Sequence, residues 1–196
     1  MIRSEQSPII LNSTNSYFFK FMNYLFLDNG FEEIEAITTI DLLRRANIAL
    51  TTVSITGNPM VLGAHNIAVE ADGLMERIDF SDAEMLILPG GQTKLGECSA
   101  LRELLVEHNK ADKPIAAICA APAVLGKLGI LEGKQATCYP GFQDALGESY
   151  VGGLVVESKN IITAKGPGLS ADFAFCIIEH LASSEVADAV YDAAQY

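Results

Sequence analysis

Ile115-Ala-Ala-Ile118 is an uninterrupted apolar run of strand length, entered from Pro114 and closed by Cys119-Ala-Ala-Pro122. A run with no polar alternation has no face to offer water, so it belongs in a sheet covered on both sides, the setting of parallel strands. Behind it the small residues Ala120 and Ala121 allow a sharp turn, and Pro122 suits the first turn of a helix continuing to Lys127. The pattern places a thiol, Cys119, on a strand-to-helix elbow. A nucleophile there is held in a strained backbone conformation at the positive end of a helix, which predicts partial ionisation of the thiol near neutral pH. The alternative reading is a small buried hydrophobe in a sheet.

The same alternation recurs along the chain. Tyr24 to Leu27 predicts a strand, Asp28-Asn29-Gly30 a tight turn, and Glu32 to Arg45 a helix with acids at its start and arginines at its end. Ile34, Ile37 and Ile40 share a stripe of that helix and define its expected buried side. Leu50 to Ser54 is a second strand, and Gly57-Asn58-Pro59 leads into a hairpin-like excursion through Val61 and Ile67 to Val69. Met85 to Leu88 is a third buried strand, ending in Pro89-Gly90-Gly91. Ser99 is the expected cap of a helix carrying Leu101, Leu104, Leu105 and His108. Ala136 to Tyr139 reads as a strand, and Leu154 to Ser158 with Ile161 to Ala164 as a hairpin. Gly166-Pro167-Gly168 opens a long helix burying Phe173, Cys176, Ile177 and Leu181. Ser183 or Ser184 caps a short terminal helix carrying Val186, Ala189, Val190 and Ala193. Strands alternating with helices give an α/β fold with a mainly parallel sheet and sites at the carboxyl ends of its strands.

With 196 residues, 49% of them hydrophobic, one core suffices. Residues 1–21 show no sustained period and stand apart as an N-terminal extension: a misassigned start, disordered or non-native sequence, or a real addition. Residues 22–196 form the single expected domain. A net charge of −12 argues against nucleic acid and anionic membranes as partners. No apolar run reaches membrane-spanning length. The four cysteines, at 98, 119, 138 and 176, lack metal-ligand spacing. The reading is therefore a reducing cytoplasm, with no metal centre.

An active thiol needs a proton carrier and donors for developing negative charge. Glu35 lies beside an apolar helical stripe, where burial would raise its pKa; the alternative is a solvated acid in a Glu-rich first turn. Gly90 and Gly91 have no side chain to block their N–H groups from an oxyanion, although such a pair is often only a turn. His65, in Gly63-Ala-His-Asn66, is the one histidine in a loop-like context and a candidate pocket residue. His108 and His180 lie late in helices and read as structural. Tyr139 and Pro140 sit at an expected strand end, with substrate contact and packing both open for Tyr139.

The motifs Gly30-Phe-Glu-Glu-Ile-Glu-Ala36, Asp41-Leu-Leu-Arg-Arg-Ala46, Leu88-Pro-Gly-Gly91, Ala116-Ala-Ile-Cys-Ala-Ala-Pro122 and Lys165-Gly-Pro-Gly-Leu-Ser-Ala-Asp-Phe173 together resemble the ThiJ/PfpI superfamily. Its DJ-one branch is the nearest match, over residues 22 to about 190. The resemblance implies a flavodoxin-like sandwich, usually a homodimer, with Cys119 as oxidation-prone nucleophile and Glu35 as partner carboxyl. It also implies that Gly91 and Ala120 supply N–H groups around the thiol. Ala120 stands where the peptidase branch has His, Tyr139 where some members have His, and His65 where some relatives have Arg, which makes His65 a substitute proton carrier. The expected activity is a cofactor-independent glyoxalase or deglycase acting on small reactive carbonyl compounds. The alternatives are a redox sensor or chaperone-like stress protein using the same thiol and, more distantly, a cysteine amidase or peptidase.

Overall fold

The structure is a computed structural model that describes residues 21–92 and 94–196, so all of the N-terminal extension except Phe21 lies outside the described residues. In chain order the elements are β1 (Met22–Leu27), α1 (Glu33–Arg45), β2 (Leu50–Ser54), β3 (Met60–Leu62), β4 (Ala68–Glu70), β5 (Gly73–Leu74), β6 (Ala83–Leu88), α2 (Ser99–Lys110), β7 (Ile115–Ile118), α3 (Pro122–Lys127), β8 (Val155–Ser158), β9 (Ile161–Ala164), α4 (Ser170–Leu181) and α5 (Ser184–Ala194). Seven strands form one sheet in the order β5-β2-β1-β6-β7-β9-β8. Every pairing in it is parallel except that of the edge strand β8 with β9. β3 and β4 form a separate antiparallel hairpin.

Both sheet faces are buried, and successive residues of a strand enter different cores. Leu25 and Leu27 of β1 join Ile87, Ile118 and Ile162 under α1, α4 and α5. Tyr24 and Phe26 join Leu86, Leu88, Ile115 and Ala117 under α2 and α3. The sandwich is flavodoxin-like, as expected, because the apolar runs have no wet face to give up. The chain runs one way from β1 to β2 and the other way from β6 to β7, so the order reverses between β1 and β6. The carboxyl ends of β1, β6 and β7 meet at that reversal, the usual place for a site in open α/β sheets.

Several local expectations change. Ile34 and Ile37 are exposed, at 51% and 41%, because α1 turns Ala36, Thr39, Ile40 and Leu43 inward; the apolar stripe read from the sequence is largely a second, outward face. Ser99 is the first residue of α2, and the preceding Cys98 makes no side-chain cap. Ala136 to Tyr139 is not a strand. Its backbone is bonded to loops and side chains, Ala136 N–H to Ser149 O at 2.8 Å and Thr137 N–H to Thr163 Oγ1 at 2.9 Å, which leaves one isolated bridge to Tyr150. In α5 the buried residues are Ala187 and Val190, with Ala189 and Ala193 exposed; Ser183 is the cap, accepting from Val186 N–H at 3.4 Å. In α4, Phe173, Ala174, Ile177 and Ile178 are buried, while Cys176 and Leu181 are only half-buried.

Phe173 sits fully buried between α4, α1 and the sheet. Removing its ring leaves a cavity that close-packed neighbours cannot fill, so Phe173→Ala is expected to lower the urea-extrapolated unfolding free energy by about 3–5 kcal/mol. A loss below about 1 kcal/mol would show that this core is not packed as described.

Candidate active site

Cys119 follows β7 directly, with a backbone φ of +66° that only glycine adopts without strain. Its surroundings fix that conformation: Cys119 N–H donates to Ala164 O at 2.9 Å, Tyr139 N–H to Cys119 O at 2.8 Å, and Ala121 N–H to Ile118 O at 3.1 Å. Pro122 then starts α3. The elbow is therefore held by β9 on one side and by the Tyr139 segment on the other. Cys119 is only 9% exposed, and the backbone N–H groups of Ala120 and Gly91 favour the charged form of its thiol.

Glu35 reaches the thiol because the start of α1 is stitched to the loop after β6. Glu32 N–H donates to Gly90 O at 3.0 Å, Gln92 N–H to Gly30 O at 2.9 Å, and Phe31 and Gly91 form an isolated bridge. Glu35 is fully buried, and its Oε2 accepts Gly90 N–H at 2.7 Å. That bond corrects one expectation: Gly90 N–H is committed to the carboxyl, so Gly91 and Ala120 are the donors left for the sulfur. Gly90 has a steric role as well, because a Cβ there would lie 2.6 Å from Cys119 Cβ and 2.8 Å from Glu35 Oε2. Oε1 of Glu35 is buried without a hydrogen-bond partner.

Burial pushes Glu35 up to about 7, against the Gly90 N–H and the Cys119 thiol, which favour its charged form, while Glu32 adds to the rise. Burial likewise pushes Cys119 up to about 12, reinforced by the charge and hydrogen bond of Glu35 and opposed by Ala120 and Gly91. The expectation of a thiol partly ionised by its helix is thereby corrected: a six-residue helix does not outweigh burial beside a carboxylate. Protonation of Glu35 removes the charge that opposes the thiolate, so the two groups titrate as a coupled pair.

His65 stands elsewhere. Its Nδ1 lies 2.8 Å from Glu33 Oε2, and its N–H donates to Glu33 Oε1 at 2.6 Å. Among the described residues it has no hydrogen bond to Cys119 or Glu35. The Glu33 bond and the Glu32 charge raise its pKa; the bonds from His65 and Ile67 hold Glu33 low despite its burial. The sequence reading missed Glu33 because it treated the acids of the first turn as dipole partners. Glu32, Glu33 and His65 each place one ligand-type atom within 4.8 Å of the others, where a metal could bind, although the Glu33–His65 bond already occupies two of them. Tyr139 is tied to the elbow through its backbone, its ring lies against Gly166, and its side chain is exposed beside the exposed Pro140. His108 is structural, with Nε2 3.1 Å from both Glu84 O and Pro114 O.

The DJ-1/PfpI family profile matches residues 23–180. Protein dj-1beta of Drosophila melanogaster is 37% identical over 162 residues, 80% of this chain and 87% of that one. A Caenorhabditis elegans protein named glutathione-independent glyoxalase DJR-1.2 is 35% identical over 159 residues, 79% of this chain and 84% of that one. The solved structure of oxidized Toxoplasma gondii DJ-1 superposes with a TM-score of 0.86 at 32% identity, covering 89% of this chain and 98% of that one.

Because Glu35 titrates at about 7 when folded and near its ordinary 4.5 when unfolded, its contribution to stability is complete below pH 4.5 and is lost as pH rises through 7. Glu35→Gln removes that loss, so its stability relative to wild type should grow by about 3 kcal/mol between acid and pH 8. Alkylation of Cys119 by iodoacetamide should show an inflection near 7 in wild type and a single rise at higher pH in Glu35→Gln. A mutant that kept the inflection near 7 would dissociate Glu35 from the thiol's chemistry.

Proposed function

Because the chain belongs to the DJ-1/PfpI family, we propose that it is a cysteine-dependent, cofactor-independent glyoxalase or deglycase acting on methylglyoxal or on its amine and thiol adducts. The observation that carries this reading is a buried carboxyl with a pKa of about 7 against a nucleophile on a strained elbow. A general acid and base works best when its pKa lies near the working pH. The glyoxalase name of the nematode relative supports the same reading.

In the proposed reaction the Cys119 thiolate attacks the aldehyde carbon, a C–S bond forms, and the carbonyl oxygen takes the proton from Glu35. Gly91 and Ala120 N–H groups hold charge at the reacting centre. The Glu35 carboxylate then removes the proton from the former aldehyde carbon and returns it to the neighbouring carbon, while the proton of the new hydroxyl passes to the neighbouring oxygen, leaving a thioester with a 2-hydroxyl group. Water cleaves the thioester, freeing the thiol and a 2-hydroxy acid. The sum is R–CO–CHO plus water giving R–CHOH–COO⁻ plus a proton, with one carbon oxidised as its neighbour is reduced. From an adduct, the amine or thiol leaves as well. Cys119→Ser is expected to abolish lactate formation from methylglyoxal without changing the melting temperature, while Glu35→Ala lowers kcat/KM about a hundredfold or more. Lactate formation by the serine variant at the wild-type rate would remove the catalytic reading.

A second reading, a redox sensor, uses the same thiol. Glu35, when protonated, can donate a hydrogen bond to an oxygen on an oxidised sulfur, and the Toxoplasma gondii relative has been solved in oxidized form. Peroxide oxidation of Cys119 in a protein without lactate-forming activity would favour it. The four cysteines are free thiols, which suits a reducing compartment such as the cytoplasm. Among the described residues no helix is long and apolar enough to cross a membrane.

Homodimerisation is part of the proposal. Ile34, Ile37 and Ile67 line one exposed groove, and Met60 and Leu62 of the hairpin add exposed apolar surface. Such a patch on a small domain favours a second copy. Ile37→Asp should convert a dimer to monomer in sedimentation experiments; a wild-type protein that is monomeric at tens of micromolar would overturn the assignment.

A further inference from the structure

A cavity of about 500 Å³ opens beside the elbow, and its wall includes Gly91 and Ala120, whose N–H groups favour the Cys119 thiolate. The rest of the lining comes from the loop after β6, from α2, from α3 and the residue after it, and from Phe142. Three of its side chains are cationic, Lys94, Arg102 and Lys127, against one carboxylate, Glu97. That balance runs against the chain, which has 25 acidic and 13 basic residues. All three cations are exposed, and among the described residues none forms an ion pair or a side-chain hydrogen bond. Of the described basic side chains elsewhere, Arg44, Arg45 and Lys110 are paired with acids, while Arg77, Lys159 and Lys165 also lack such a partner but do not line this cavity. The site is thus a ligand-sized space with a surplus of two positive charges at the edge of a nucleophile. Methylglyoxal, small and uncharged, uses neither the volume nor the charge.

From this geometry we infer that the cavity binds the dianionic phosphate of a phosphorylated reactive carbonyl compound whose carbonyl carbon is presented to Cys119. The carbonyl half of this inference rests on the glyoxalase reading; the anion half rests on the cavity alone. Arg102 offers a planar fork of donors and the two lysines point charges, a set that matches the oxygens of a phosphate monoester. For a three-carbon substrate the balanced reaction is OHC–CO–CH2–OPO3²⁻ plus water giving ⁻OOC–CHOH–CH2–OPO3²⁻ plus a proton. The phosphate ester bond is untouched.

Glycerate 3-phosphate, the product of that reaction, serves as a stable probe, with malate as the carboxylate-tailed comparison and glycerate as the comparison without a tail charge. Calorimetric titration of the full chain at low ionic strength should give an affinity for glycerate 3-phosphate about tenfold above both comparisons, and the preference should shrink in high salt. Arg102→Gln and Lys127→Gln should each weaken it roughly threefold and the double variant roughly tenfold, as for partly screened ion pairs. Lys159→Gln, an equal charge change in the β8–β9 turn, should leave it unchanged. Equal binding of all three probes, equal binding of malate and glycerate 3-phosphate, or an equal effect of Lys159→Gln and Arg102→Gln would each overturn the inference. The turnover arm compares methylglyoxal with the phosphorylated oxoaldehyde. Turnover of methylglyoxal with no phosphate preference would overturn the cavity inference and leave the proposed function standing. Phosphate preference with turnover of neither would support the anion site and remove the glyoxalase reading.

Discussion

The carboxyl of Glu35 is sealed from water, accepts one backbone N–H at 2.7 Å and leaves its other oxygen unbonded. Sealing a carboxylate in this way is unfavourable unless its surroundings compensate, and here they do so only in part. The consequence is a group that holds its proton to about pH 7. Everything that makes the site unusual follows from keeping that group in place. The α1 start must be stitched to the loop after β6, position 90 must have no side chain, and the elbow must hold Cys119 at φ +66°. None of these favours stability taken alone. Apolar burial on both faces of the sheet supplies the surplus that tolerates them.

The site is also a consequence of topology. Glu35, the glycines and Cys119 are separated by more than fifty and by nearly thirty residues in sequence, yet they follow strands β1, β6 and β7, which are neighbours in the sheet. Parallel strands put all their carboxyl ends on one edge, and the reversal of strand order opens a crevice there. Once the three runs were identified as buried parallel strands, the convergence of their ends needed no further information.

This explains what was legible in the sequence. The strand and helix alternation and the elbow could be read because each depends on local pattern, whereas the pairing of Cys119 with Glu35 and the N–H roles of Gly91 and Ala120 came from the family resemblance, local pattern leaving both open. The segment from Ala136 to Tyr139 was misread because its bonds run to Ser149 and Thr163, partners that no local window contains. The two faces of α1 were confused because periodicity reports an apolar stripe without saying what covers it. Ile34 and Ile37 fit that stripe, while Ala36, Thr39, Ile40 and Leu43 meet the core. The thiol's ionisation was misjudged because a helix terminus is visible in sequence and complete burial beside a carboxylate is not. The cations of the cavity gave no signal, since Lys94, Arg102 and Lys127 come from three separate segments.

Helix α1 turns Glu35 towards the thiol and Ile34 and Ile37 towards solvent, with Glu33 between them holding His65. A rigid rod one helix wide thus joins the outer surface to the proton of the reaction centre. If two copies meet through the isoleucine face, a displacement of α1 there changes how tightly Glu35 is sealed, and the sealing sets its proton affinity. Thermodynamic linkage then works in both directions: the protonation state at the elbow must alter the strength of association by the same factor that association alters the protonation. If two copies meet through that face, assembly and chemistry are two readings of one mechanical coordinate.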